Sequence, residues 1–297
     1  MQKIVANVNK GVLFMVISSL CFAIDGAFAK ILSAHMEPVE VVFFRNTLGL
    51  FLIGATLFRK PIRQIGGRVF LLLFRAFVGL SAMMAFFYNI AHISFADAMT
   101  FSRTAPIFTA VFAFLFLKEK IGLKGWIAVL VGFVGIVCIM KPDGLMFETT
   151  DILGLYSGVG AALAYTSVRE LGKFYDTRSI VMAFVGLGSI VPLMMMIASK
   201  YSSFELEGMV SNGFVMPSGL LWFYIVCMGI FGAIGQVFMT KSFSVEKAGI
   251  VGTAGYSIIF FSLIIGVMLG DAMPDILGLF GIFLVVASGI VVAKQKS

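Results

Sequence analysis

The chain has 297 residues, of which 60% are hydrophobic and only 12% charged. A soluble domain carries about 25% charged residues, so a soluble enzyme, a disordered chain and a nucleic-acid binder are excluded, as the mean hydropathy of +1.04 also indicates. The net charge of +7 is therefore read as a signal of membrane orientation.

A helix needs about 20 apolar residues to cross roughly 30 Å of hydrocarbon. Such runs occupy residues 11–34, 39–58, 69–92, 97–117, 123–140, 152–172, 179–199, 219–241, 247–270 and 274–293. None shows the alternation of a barrel strand, so all are expected to be helices, the form that satisfies its own backbone in lipid. The first run is too long for the 7–15-residue core of a signal peptide, and it is taken as a retained helix. Sixteen of the 22 basic residues fall on one side of this ten-span arrangement, among them Arg59, Lys60, Arg63, Lys118, Lys120, Arg169 and Lys173. The opposite loops collect acids such as Glu37, Asp97, Asp143, Glu148 and Asp271. The positive-inside rule puts both termini in the cytoplasm, and a bacterial-type inner membrane is the expected location.

The two halves resemble each other. The stretch from Leu73 and the stretch from Tyr224 share a Gly-spaced helix, a short charged turn, and a next helix opened by Ala98 or Ala248. That next helix ends in an acid, Glu119 or Asp271, and a Gly-rich last helix follows. With five spans in each half, the second enters from the opposite side. The fold expected is an all-α integral membrane protein of ten transmembrane helices in two inverted-topology repeats, residues 11–140 and 152–293. Such repeats hold a substrate near the midplane, between the halves.

Several segments resemble the drug/metabolite transporter superfamily in its ten-helix EamA branch. They are VVFFRNTLG around Arg45, LLFRAFVG around Arg75, APIFTAVFAFLFLKEK ending at Lys120, GWIAVLVGFVGIVCIMKP in the fifth span, and SVRELGK around Arg169. The resemblance covers about residues 11–293 and implies a secondary transporter of a small metabolite. The tryptophan often seen in the family's first helix is absent, and the proline expected in the ninth span is replaced near Tyr256.

Ionisable residues inside spans are functional candidates, since each costs about 2.5–3.5 kcal/mol near a helix centre on insertion scales. Asp25, Arg45 and Arg103 fall in one layer of the outer third when depth is counted at 1.5 Å per residue. Arg45 is a candidate salt-bridge partner for Asp25, and Arg103 a candidate anchor for an anionic group. Arg75 lies toward the cytoplasmic end, where it is expected to pair with helix-end carbonyls or with Glu119 as a gate or structural ion pair. Lys30 is expected to extend to the membrane surface. Tyr88, Tyr165, Gln236 and Tyr256 offer hydrogen bonds and ring faces to a ligand.

No HExxH, GxSxG or Walker loop is present, and Cys21, Cys138 and Cys227 all lie in apolar runs, so no catalytic residue, metal or cofactor is expected. A lipid-flipping or lipid-modifying membrane enzyme is the alternative from another class; it would need a cluster of His and acids facing one leaflet. The expected substrate is anionic or zwitterionic, amino-acid-like or planar and nucleotide- or vitamin-like. Lipid is the other expected partner and nucleic acid is not. A coupling proton or counter-substrate, and monomer or homodimer, stay open.

Overall fold

The computed structural model describes residues 10–59, 65–93, 95–102, 104–118, 122–140, 148–201, 208–210, 214–270 and 275–294. Among them are twelve helices and no strand: α1 (Lys10–Leu32), α2 (Pro38–Arg59), α3 (Val69–His92), α4 (Phe95–Ser102), α5 (Ala105–Leu117), α6 (Leu123–Met140), α7 (Thr149–Leu171), α8 (Thr177–Tyr201), α9 (Leu221–Val245), α10 (Ala248–Ala254), α11 (Ser257–Met268) and α12 (Ile276–Lys294). Six stretches are long and apolar enough to cross a membrane: α1, Pro38–Thr56, α3, α8, α9 and Ile250–Met268. Phe70, Phe77, Phe116, Met194 and Phe283 are each more than half exposed. A soluble monomer does not leave apolar surface of this extent in water; this is a multi-pass membrane protein.

Side chains at the helix starts supply the partners that the first-turn N–H groups lack. Glu148 and Asp151 form a reciprocal capping box on α7. Asp176 Oδ1 accepts the Arg178 N–H at 2.8 Å to open α8, and Asp275 Oδ1 accepts that of Gly278 at 2.9 Å to open α12.

Two of the sequence-derived spans are not single helices. The fourth is interrupted between Ser102 and Ala105, the ninth between Ala254 and Ser257. Pro106 sits in the first turn of α5, where its missing N–H removes no helical bond. The second interruption has no proline; Gly255 N–H is shared between the carbonyls of Val251 and Gly252, both at 3.1 Å.

The helices pair in reciprocal fashion: α1 on α9 and α3 on α7, α2 on α8, α6 on α12, α5 on α7 and α11 on α1. Small residues permit the close approaches. A methyl at Gly229 would lie 2.6 Å from Leu48 Cβ, one at Gly235 2.9 Å from Phe22 Cδ1, and one at Gly160 2.8 Å from Ala82 Cβ. Close backbone packing of this kind substitutes for the hydrophobic force that lipid does not supply.

Candidate functional site

A cavity of about 130 Å³ lies among α1, α2, α3, α4, α5, α7, α8, α9 and α10. One face of α1 lines it with Met15, Ser19, Phe22 and Asp25, and one face of α3 with Arg75, Gly79, Ala82, Met83 and Phe86. Both sets follow the three- and four-residue steps of a single helical face. Both helix interruptions border the same space, the first through Ser102, Ala105 and Pro106, the second through Gly252 and Gly255.

Asp25 and Arg45 meet in its wall. Arg45 Nη2 lies 2.8 Å from Asp25 Oδ2, and Arg45 Nε donates to Oδ2 at 2.9 Å and Oδ1 at 3.1 Å. The guanidinium is held further by the rings of Phe22 and Phe87, with centroids at 5.9 and 5.8 Å, and by Met83 Sδ at 3.3 Å. The pair rests on the bare backbone of Gly232, where a methyl would come within 2.9 Å of Asp25 Oδ1 and 3.0 Å of Arg45 Nε. Two buried charges are tolerable in such a setting because the geometry is good and the remaining donors find partners.

Arg75 is different. It is 1% exposed, and its Nε and Nη1 have no hydrogen-bond partner among the described residues. Its guanidinium carbon stands 4.4 Å from the ring centroid of Phe184 on α8. Gly79, one turn further along α3, leaves the room: a methyl there would be 3.3 Å from Arg75 Nη1 and 3.2 Å from Phe184 Cε2. Tyr165 of α7 is close enough to interact electrostatically with Arg75, and its ring stacks on Phe243 at 5.1 Å. The expected gate partner Glu119 lies outside the described residues, as does Arg103, so neither is placed. Arg75 lines the same cavity as Asp25 and Arg45.

Tyr165 and Gln236 line the cavity; Tyr88 and Tyr256 do not. The Tyr88 ring stacks on His92 at 4.0 Å, and Tyr256 is buried among Ile107, Ala110 and Ile259. The Nζ of Lys30 donates to the carbonyls of Ile90 at 2.8 Å and Ile93 at 2.7 Å. These carbonyls close the end of α3, where the last turn lacks intrahelical donors and a cation is favoured. Sequence reasoning passed over Phe22, Phe87 and Phe184, the rings beneath the two arginines. Extending the helical face from Arg75 would have found Gly79, Ala82 and Phe86.

Residues 9–141 match the EamA-like transporter family. An uncharacterized transporter of Helicobacter pylori (strain ATCC 700392 / 26695) is 35% identical over 95% of this chain and 94% of its own length. The chain belongs to the EamA-like transporter family. The pseudopaline exporter CntI of Pseudomonas aeruginosa (strain PAO1) is 31% identical over 97% of both chains. An S-adenosylmethionine uptake transporter of Rickettsia prowazekii (strain Madrid E) is 22% identical over 97% of this chain and 94% of its own. A crystal structure sharing 16% identity superposes with a TM-score of 0.68 over 96% of both chains, a likeness of fold alone. This EamA-family protein is thus related along its full length to proteins named for moving small molecules.

Proposed function

We propose that this EamA-family protein is a secondary transporter of a small anionic or zwitterionic metabolite, working by alternating access between two five-helix halves, residues 11–140 and 152–293. The observation that carries the reading is the pair of interrupted helices bordering one charged cavity. The interruptions are separated by about 150 residues, the offset of the internal repeat. Broken helices at corresponding positions of inverted repeats mark the substrate site of many transporters, since irregular backbone is tolerated at membrane depth only where it lines a cavity. The reciprocal packing supports the same symmetry: exchanging the halves turns the α1–α9 contact into α7–α3, and α5–α7 into α11–α1. The family match ending at residue 141 supports the boundary of the first half. Names of an exporter and of an uptake protein among the relatives support passage of a small molecule as the shared activity. The location proposed is a bacterial-type inner membrane, with both termini cytoplasmic.

Two measurements test this. Proteoliposomes loaded with a labelled mixture of carboxylate- and phosphate-bearing metabolites should lose a defined subset faster than protein-free vesicles. Identical release from both preparations refutes transport. Reporter fusions after Lys141 and after Ser297 should report opposite sides of the membrane, and agreement between them refutes the ten-span arrangement.

A further inference from the structure

Among the described residues, the charged side chains lining the cavity are Asp25, Arg45 and Arg75. Asp25 and Arg45 neutralise each other through contacts of 2.8 to 3.1 Å. Arg75 is left over: buried, braced on Phe184, and with its Nε and Nη1 nitrogens unpartnered among the described residues. A buried guanidinium stays charged and donates only, and a buried unpaired charge is among the costliest arrangements a fold can hold. Its persistence is explained by a ligand that completes it.

We propose that Arg75 is the anchor for the oxyanion head of a net-anionic substrate, a carboxylate or phosphate monoester, with an apolar or aromatic body seated against Phe22, Phe86, Phe184 and Phe243. The inference rests on the transporter reading and narrows its substrate class. A zwitterion would bring an ammonium group that needs a carboxylate, and the Asp25 carboxylate is engaged by Arg45. A cation would add to the uncompensated charge. The planar guanidinium offers paired N–H donors that match an oxyanion in a forked geometry. Gly79 is part of the device, because any side chain there would press on both the guanidinium and the Phe184 ring.

The test uses four probes of one shape and different charge: phenylpropionate, phenylpropionamide, phenylpropylamine and phenylalanine. Thermal unfolding of the purified full-length protein in detergent is followed with each. Phenylpropionate should raise the Tm at concentrations about tenfold or more below those the other three require, as a hydrogen bond to a charged group is worth about ten- to a hundredfold in affinity. Arg75→Met should abolish that preference and leave the ligand-free Tm unchanged or higher, since an unpaired buried charge has been removed. Arg75→Lys should keep a weakened response. The proposal is overturned if phenylalanine, the amine or the amide matches phenylpropionate, or if none of the four shifts the Tm. It is equally overturned if Arg75→Met keeps the anion response, or fails to fold or unfolds well below the parent, for the side chain would then have a structural partner. Vesicles that carry out metabolite flux while the protein prefers phenylalanine or the amine sink this inference and leave transport standing. Anion binding without flux sinks the transport reading and leaves the site.

Discussion

Asp25→Asn and Arg45→Gln should each lower stability by about 3–5 kcal/mol, the usual effect of removing one partner of a buried ion pair, and the double variant should lose less than the sum of the two. The pair is the best-formed polar contact in the cavity wall, with three N–H···O contacts between 2.8 and 3.1 Å and both side chains 6% exposed. Either single change strands one charge in a place built for two. Removing both strands none, so a double-mutant cycle in thermal or denaturant unfolding should return a coupling energy of about 0.5–3 kcal/mol. Strictly additive losses would show that the contact contributes nothing as a pair.

The two single variants should also part company with pH. In Arg45→Gln the stranded group is a carboxyl, which can take up a proton and become neutral; in Asp25→Asn it is a guanidinium, which cannot. The penalty in Arg45→Gln is carried by the ionised carboxylate, so it is largest at alkaline pH and shrinks as protonation sets in on acidification. The penalty in Asp25→Asn should hold constant over the same range. Parallel pH profiles for the two variants would contradict this account.

The spans were legible in the sequence because hydrocarbon imposes one strong rule. The run at 69–92 coincides with α3, Val69–His92, and those at 179–199 and 219–241 lie within or across α8 and α9. Hydropathy is blind to the backbone, however, and the breaks at Ser102–Ala105 and Ala254–Ser257 leave it unchanged. Pro106 gave a hint of the first; the second turns on a glycine in a chain that has 32 of them. The direction of the Arg75 side chain was not legible in the sequence, for a geometric reason. Helical side chains ordinarily lean toward the N-terminus, which here points to the cytoplasmic edge in the proposed orientation. With no side chain at Gly79, the Arg75 guanidinium instead lies one turn toward the C-terminus, against Phe184. A Cα some 8–10 Å above the edge plus one turn of about 5.4 Å brings the charge close to the middle of a core roughly 30 Å thick.

Gly158→Ala should be strongly destabilising, and Gly186→Ala should not. Both glycines lie inside long helices, α7 and α8, where Ala is intrinsically favoured by roughly 0.5–1 kcal/mol. What differs is the neighbour. A methyl at Gly158 would overlap the Thr104 hydroxyl, stand 3.0 Å from Thr104 Cβ and approach the Phe101 carbonyl oxygen to 3.2 Å. These atoms belong to the end of α4 and the start of α5, so the methyl would press on the backbone interruption at the cavity wall and not on a side chain free to turn aside. Overpacking a tight interior costs about 1–3 kcal/mol and sometimes more, which exceeds the propensity gain. A methyl at Gly186 meets only Leu50 Cδ1, at 3.9 Å, and should be neutral or stabilising by about 0.5–1 kcal/mol. Adding Thr104→Ala to Gly158→Ala removes the overlapping hydroxyl but keeps the contacts with Cβ and the Phe101 carbonyl, so rescue should be partial. Thermal unfolding of these three variants beside the parent separates the possibilities. Full rescue by Thr104→Ala would reduce the effect to one hydroxyl. Equal behaviour of Gly158→Ala and Gly186→Ala would mean that α7 does not press on the interrupted helix at all.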